Sequence, residues 1–327
     1  VVSDLKTFNL NPILGLRLGK ALSVGFGVQI QYAKATLTSR LAPGVVPFAI
    51  SPALNAGFES RLKGDDVALG FTAGVLIEPV DGTRIGLGFR SGISHKLRGR
   101  AQFGSPLAVV ASSSASAPLD LPETLTLSLR QEISEDLTLL ASFEWANWGV
   151  FKNLTAFASV FPGGTSVTPE NWNDSYFFSV GGEYKATDKL TVRAGVAYED
   201  SPVPDSTRTP RVPDNNRVWV NVGGSYNLNN WISFSAAYSH IFMEDGDVNL
   251  PATTVPSLSA TFKQETDIVC RLLRVKRKPQ NRFDNTADRK ARRLRRVFCL
   301  AGPWRCREHL MCRVQVPAEP RDSAIGH

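Results

Sequence analysis

"KLTVRAGVAYEDSPVP", Lys189–Pro204, is the stretch on which the fold turns. Leu190, Val192, Ala194, Val196 and Tyr198 share one parity; Thr191, Arg193, Gly195, Ala197 and Glu199 share the other. Apolar side chains at every second position specify a β-strand with one apolar face. The opposite face carries an arginine and a glutamate. A soluble sandwich also alternates in this way, with its polar face to water. The fold therefore depends on which face points inward.

Segments of the same kind recur along the chain: 7–18, 22–32, 67–77, 84–97, 123–133, 137–145, 175–184, 189–199, 217–226 and 232–242. They make ten complete strands, and no helix of ordinary length is legible between them, which specifies an all-β chain. No run approaches the roughly 20 apolar residues that a membrane helix needs. The connections alternate between two kinds. Tight turns fall at Gly19-Lys20, Asp81-Gly82, Glu135-Asp136, Thr187-Asp188 and Asn229-Asn230, and long loops at 42–65, 104–120, 159–174, 202–216 and 244–257. In an up-and-down sheet every second connection lies at the same end, so one end holds the turns and the other the loops. That asymmetry marks an outer-membrane barrel with short periplasmic turns and long external loops.

The side chains agree. Phe26, Val28, Ile30 and Tyr32, then Leu69, Phe71, Val75 and Ile77, then Tyr176, Phe178 and Tyr184 line one face; Gln29, Gln31, Thr124, Thr126, Ser128 and Ser179 line the other. Tyr32, Trp145, Tyr176, Tyr184, Tyr226, Trp231 and Tyr238 stand near strand ends, where interfacial aromatic girdles sit. The apolar face is accordingly read as lipid-facing, and the charged face of 189–199 as lumenal. The expected fold is a transmembrane antiparallel up-and-down β-barrel, partial, with about ten complete strands and a broken last strand.

Charge divides the chain. The 327 residues carry a net charge of +7, but Cys270–His327 alone hold 16 Lys+Arg against 5 Asp+Glu, leaving 21 against 25 in 1–269. Cys270, Cys299, Cys306 and Cys312 are the four cysteines, all beyond residue 269. A cysteine-free body suits folding outside the cytoplasm without disulfides. The break predicts two regions, a partial barrel over 1–269 and a basic cysteine-containing tail over 270–327. The tail is expected to be the product of a shifted reading frame, disordered or partly helical over "KARRLRRVFCL". The competing reading is a real basic arm for nucleic acid or anionic lipid. A barrel exported across a membrane meets no nucleic acid, so no nucleic-acid partner is expected.

Several blocks resemble the long-chain fatty acid outer-membrane transporters (FadL type). These are "SPVPDSTRTPRVPDNNRVWVNVGGSY" (201–226), "FRSGISHKLRG" (89–99), "LPETLTLSL" (121–129), "EWANWGVFKNL" (144–154) and "YSHIFMEDGDVNL" (238–250), in order and over roughly 1–269. The resemblance implies a fourteen-strand barrel plugged by an amino-terminal hatch, with a hydrophobic ligand captured from outside by passive diffusion. It implies partners in outer-membrane lipid, lipopolysaccharide and a hydrophobic ligand, no cofactor, and a monomer. Against that pattern the chain is expected to start at the fourth strand, without hatch or first strands, and its last strand, 259–269, is expected to lose alternation at Cys270.

A fatty acid needs a cationic site for its carboxylate and an apolar slot for its tail. Arg90, Lys96 and Arg98 share lumenal parity on one expected strand; Arg193, Arg217 and Trp219 share it on the strands flanking the 202–216 loop. The plainer alternative is a lumenal ladder of ion pairs with Glu144, Glu183 and Glu199. The loop "APGVVPFAISPALNAGF" (42–58) is apolar for an external loop, and Phe48, Ile50, Leu54 and Phe58 are candidates for a hydrophobic landing groove. Other chemistry finds little support. "EDGDVN" (244–249) lacks the spacing of a calcium loop, and the cysteines lack the close pairs of a zinc site. Ser239 and His240 are adjacent on a strand and point to opposite faces, so they make no lipase dyad. The sequence thus predicts no enzyme. Outer-membrane uptake of hydrophobic compounds, most of all long-chain fatty acids, stands against a non-specific porin, an adhesin-type barrel and an aromatic hydrocarbon channel.

Overall fold

A computed structural model describes residues 3–40, 59–105, 108–250 and 258–275. In chain order the strands are β1 (Ser3–Leu10), β2 (Ile13–Leu18), β3 (Leu22–Arg40), β4 (Glu59–Ile77), β5 (Thr83–Arg90), β6 (Ile93–Ser105), β7 (Ala108–Leu121), β8 (Thr124–Glu132) and β9 (Leu137–Ala146). They continue with β10 (Asn153–Ala158), β11 (Thr165–Pro169), β12 (Ser175–Lys185), β13 (Leu190–Glu199), β14 (Arg217–Asn227), β15 (Ile232–Met243), β16 (Gly246–Leu250), β17 (Leu258–Phe262) and β18 (Glu265–Val275). Neighbours pair antiparallel, and β3-β4-β5-β8-β9-β12-β13-β14-β15-β18 form one continuous wall. Among the described residues, β1 and β2 at one end of this wall and β18 at the other are paired on one side only.

The turns lie in a row. Glu78 N–H donates to Ala21 O, Glu132 to Gly82 O, Lys185 to Asp136 O and Asn227 to Lys189 O, joining each tight turn to the next. At the opposite end Asn147 N–H donates to Glu123 O, Asp200 to Tyr176 O and Glu244 to Asn216 O. The segregation of turns and loops thus holds for the described residues. The apolar parity is outward and open: Phe26, Leu69, Phe178, Val196 and Val222 are all exposed. A monomer in water would not leave such a band bare, whereas hydrocarbon accepts it and the strand ladder satisfies the backbone.

The structure departs from the expected loops in four places, the first being Glu59–Asp65 of the 42–65 loop, which belongs to β4 and pairs with β3. The 104–120 segment is mostly strand: "AVVASSSASAPLDL" forms β7 and pairs with β6 from Ile93↔Leu121 to Ser105↔Ala108. Within 159–174, β11 pairs with β10, and within 244–257, β16 pairs with β17. The last strand also differs, because β18 runs through Cys270 and pairs with β15 as far as Ile232↔Val275. Ladder pairing continues there although the apolar alternation has ended.

The expected strand 84–97 is two strands. Arg90 opposes Thr72 on β4, but Arg98 opposes Asp65. Between those pairs β5–β6 spends one residue more than β4, a β-bulge at Ser91-Gly92. Ser91 fills it by accepting the Phe71 N–H at 2.8 Å through Oγ and donating its own N–H to Phe71 O. An odd insertion reverses the faces of everything beyond it.

Gly99 lies just beyond, where β6 meets β4. A Cβ there would stand 1.9 Å from Lys63 O and 2.7 Å from Gly64 Cα. Gly99→Ala is expected to destabilise by about 1–3 kcal/mol, the ordinary cost of overpacking. Urea titration of the refolded chain checks this, with Gly163→Ala, where a Cβ meets nothing within 4 Å, as the comparison for strain at positive φ alone.

Candidate functional site

The inner face above the bulge holds two neighbouring groups of hydrogen-bonded polar side chains. Gln29 is fully buried; its Oε1 accepts Asn9 Nδ2 at 2.8 Å and Arg90 Nε at 2.6 Å, while its Nε2 donates to Phe71 O. One step along β3, Gln31 Oε1 lies 3.0 Å from His95 Nε2, and His95 Nδ1 lies 3.2 Å from Asp66 Oδ2. These groups belong to β1, β3, β4, β5 and β6. They meet because Asn9, Gln29, Gln31, Asp66 and Arg90 have inward parity and the bulge turns His95 inward beside them. Around these groups Ala33, Leu97, Ala117 and Ala156 form a small apolar core. The sequence marked Gln29 and Gln31 as lumenal but gave no sign of His95 and Asp66, whose meeting requires the bulge.

The bulge also corrects two expectations. Lys96 and Arg98 do not share the lumen with Arg90. They alternate with inward His95 and Leu97 and stand on the outer face, in line with Asp65 and Val67. Strict alternation through Ser91-Gly92 placed them wrongly by one residue.

On the far wall the arginines are engaged. Arg193 Nε donates to Glu183 Oε2 at 2.6 Å and its Nη1 to Ser225 Oγ at 2.8 Å. Arg217 Nη2 bonds Asp214 Oδ1 at 2.8 Å, with its Nε 3.4 Å from Glu199 Oε2, and Trp219 Nε1 donates to that same oxygen at 3.1 Å. Glu144 instead accepts Thr126 Oγ1 at 2.9 Å. Arg90 contrasts with this group, because its side-chain hydrogen bond goes to a neutral amide. Phe48, Ile50, Leu54 and Phe58 lie outside the described residues. Ser239 and His240 do face apart, and His240 Nδ1 lies 2.7 Å from Asp267 Oδ1 on the outer side of β15 and β18.

Over the loop end, residues 201–216 fold on Arg208, which is 3% exposed. Its Nε donates to Asp214 O at 2.8 Å and its Nη1 to Asp247 O at 3.3 Å; Nη2 reaches Asn215 Oδ1 at 3.3 Å and Asp205 Oδ1 at 2.8 Å. Thr207 Oγ1 donates to Glu170 O, which ties this loop to the end of β11. Arg211 Nη2 donates to Thr38 O at 3.1 Å, a contact across 173 residues that brings the β13–β14 loop onto β3. The wall is therefore curled, and this loop crosses its mouth. Beside it Trp172 meets Trp148 and Phe151 edge-on, with centroids 5.1 and 4.9 Å apart.

An antiparallel wall with an apolar outside, a polar inside and loops folded over one end defines a β-barrel of the outer-membrane type. Comparison with known proteins gives the family: the profile for "Outer membrane protein transport protein (OMPP1/FadL/TodX)" matches residues 1–276, and the chain belongs to that family. Its place is the outer membrane. Among its relatives, the "Long-chain fatty acid transport protein" of Escherichia coli O6:H1 is 29% identical over 271 residues, covering 73% of this chain and 60% of that protein. The "Putative outer membrane protein NMB0088" of Neisseria meningitidis is 25% identical over 265 residues, covering 72% and 57%. A solved Pseudomonas aeruginosa FadL homologue superposes with a TM-score of 0.70 at 27% identity, covering 83% of this chain and 67% of that one. The Ralstonia pickettii toluene transporter TbuX shares the fold, with a TM-score of 0.58 at 17% identity over 84% of this chain and 69% of that one. The chain spans about 60% of the length of the fatty acid transport proteins it matches.

Proposed function

We propose that this chain forms the ligand-binding part of an outer-membrane channel for passive uptake of hydrophobic compounds, long-chain fatty acids foremost. Arg90 is its carboxylate anchor. The observation that carries the reading is the state of the lumenal arginines: Arg193 and Arg217 have carboxylate partners, while Arg90 bonds Gln29. A guanidinium facing a lumen with a neutral partner retains donors for an incoming carboxylate. Arg193, Arg217 and Trp219 then act as the structural ladder of the far wall. The fatty acid transport proteins among the relatives support this choice of ligand. The reading includes no chemical step.

Residues beyond β18 belong to a different part of the chain in this reading. Arg271 stands on the outer face opposite Ala236, where lipid would make a cation costly, and the family match ends at residue 276. The end of the family match supports the basic tail expected from residue 270 as a region apart from the barrel, with its first residues, 270–275, still paired in β18.

The test is binding of oleate and of oleyl alcohol, which lacks the carboxylate, to the refolded chain and to Arg90→Gln. Oleate is expected to bind about tenfold more weakly to the variant, as for loss of a charge-assisted hydrogen bond, with oleyl alcohol unchanged. Equal binding of the two ligands to the unaltered chain removes Arg90 from the role. Liposome uptake of toluene without oleate would favour the aromatic hydrocarbon reading, and uptake of a small sugar the porin.

A further inference from the structure

The outer face of the wall carries a cationic field that the uptake of a lumenal ligand does not use. Six cations stand there: Lys6 on β1, Lys34 on β3, Lys63 on β4, and Lys96, Arg98 and Arg100 on β6. The register sets them in two rows. Lys6 opposes Lys34, Lys34 opposes Asp65, and Asp65 opposes Arg98. One step further out Asp4 and Thr36 lead to Lys63, which opposes Arg100. Asp4, Lys6, Lys34, Thr36 and Lys63 line one shallow depression. The hydroxyls of Ser114 and Ser116 flank the field, opposite Arg100 and Arg98 on β7.

Two of these pairings, Lys6↔Lys34 and Lys63↔Arg100, set like charges directly across a ladder, an arrangement that is destabilising by itself. Asp4 lies 3.0 Å from Lys6 Nζ. Among the described residues, no carboxylate lies within ion-pair distance of Lys34, Lys63, Lys96, Arg98 or Arg100. The tight-turn end is different. Arg84 opposes Arg130 there, but Arg84 lies 3.7 Å from Glu78 and Arg130 lies 2.6 Å from Glu132. Arg84 and Arg130 are neutralised within the protein, as are Lys6 and Arg61 at the loop end, whereas Lys34, Lys63, Lys96, Arg98 and Arg100 are left for something else.

Their height on the wall says what. Along β4 the outward residues run from Leu69 and Val67 (68% and 60% exposed) directly to Asp65 and Lys63. Along β1 they run from Leu10 and Phe8 (56% and 70% exposed) to Lys6. The cations therefore begin one row above the edge of the lipid-facing band, at the loop end, which family membership makes the external one. A group there meets acyl chains below and headgroups beside it. Rows of lysine and arginine with flanking hydroxyls are the chemistry that receives phosphate.

We propose that this face binds the phosphorylated headgroup of an outer-leaflet glycolipid of the lipid A class, with its acyl chains along Phe8, Tyr32, Val67 and Leu69. The site rests on the chain's place in the outer membrane and not on Arg90 or the lumenal ligand. The bulge at Ser91-Gly92 supplies half of it, because without the reversal Lys96, Arg98 and Arg100 would face the lumen.

The experiment titrates the refolded chain in neutral detergent with diphosphorylated lipid A, with dephosphorylated lipid A and with inositol hexakisphosphate, reading affinity by native mass spectrometry. The unaltered chain is expected to bind the diphosphorylated form at least tenfold more tightly than either of the others. Lys34→Gln/Lys63→Gln/Arg98→Gln/Arg100→Gln is expected to lose that preference, and Lys20→Gln/Lys189→Gln at the turn end to keep it. The comparison of ligands on the unaltered chain stands even if the quadruple variant does not refold. Equal binding of the phosphorylated and dephosphorylated lipids overturns the proposal, as does full retention of the preference by the quadruple variant. Inositol hexakisphosphate binding as tightly as the lipid would mark a soluble polyanion as the partner and also overturn it.

Discussion

Val222→Arg is expected to cost about 2–4 kcal/mol of folding free energy in a bilayer, the penalty for a cation near the midplane on the lipid face of a barrel. Val222 is 49% exposed, lies mid-strand on β14 and is flanked by Ala194 and Tyr238. An arginine there has no aqueous phase within easy reach on either side. Its neighbour Asn221 faces inward between Gly195 and Ser239. Asn221→Arg is expected to cost less than about 1 kcal/mol, because the guanidinium enters a polar interior. Urea-dependent refolding into phosphatidylcholine vesicles measures both. Equal costs would mean that the outer face does not meet lipid.

The second large effect is local. Arg208→Ala is expected to raise the opening tendency of residues 201–216 by about 3 kcal/mol, because one buried guanidinium holds Asp214 O, Asp247 O and Asn215 Oδ1 together. Asp205 contributes little to this figure, since its side chain is 88% exposed and stays hydrated when the arginine is gone. Hydrogen exchange should show the change in the loop and in Gly246–Leu250, with β13 and β14 protected as before. Arg208→Lys should recover only part of it, because an ammonium cannot span acceptors on two separate segments in the way that a planar fork does. Unchanged exchange in the loop would show that its shape is held by something other than Arg208.

The wall was legible because its signals are local. Val192, Val196 and Tyr198 alternate with Arg193 and Glu199 in any extended chain, and Asp81-Gly82 or Asn229-Asn230 needs no distant partner to turn. What escaped the sequence depends on neighbours. "AVVASSSASAPLDL" has the composition of a loop and becomes a strand through its ladder with β6. Cys270 to Val275 stays in the sheet on backbone pairing with β15, whatever its side chains. Arg208 carries no mark in the sequence, because its burial depends on carbonyls from two separate segments. In the candidate site, Arg90 was read on the correct face. Lys96 and Arg98 were not, since alternation counts residues and a bulge adds one that the count cannot see.

That added residue gives this hairpin an unusual relation to genetic change. Most substitutions near Ser91-Gly92 alter one side chain and leave the rest in place. Deletion of a single codon there would act on a dozen positions at once: His95 and Leu97 would turn toward the membrane and Arg98 and Arg100 into the channel. Two working surfaces, one inside and one outside, thus share a single reading register. Homologues should tolerate many replacements along β6 yet keep the spacing between Arg90 and His95 constant, and gaps in an alignment should fall in the loops at either end rather than between them.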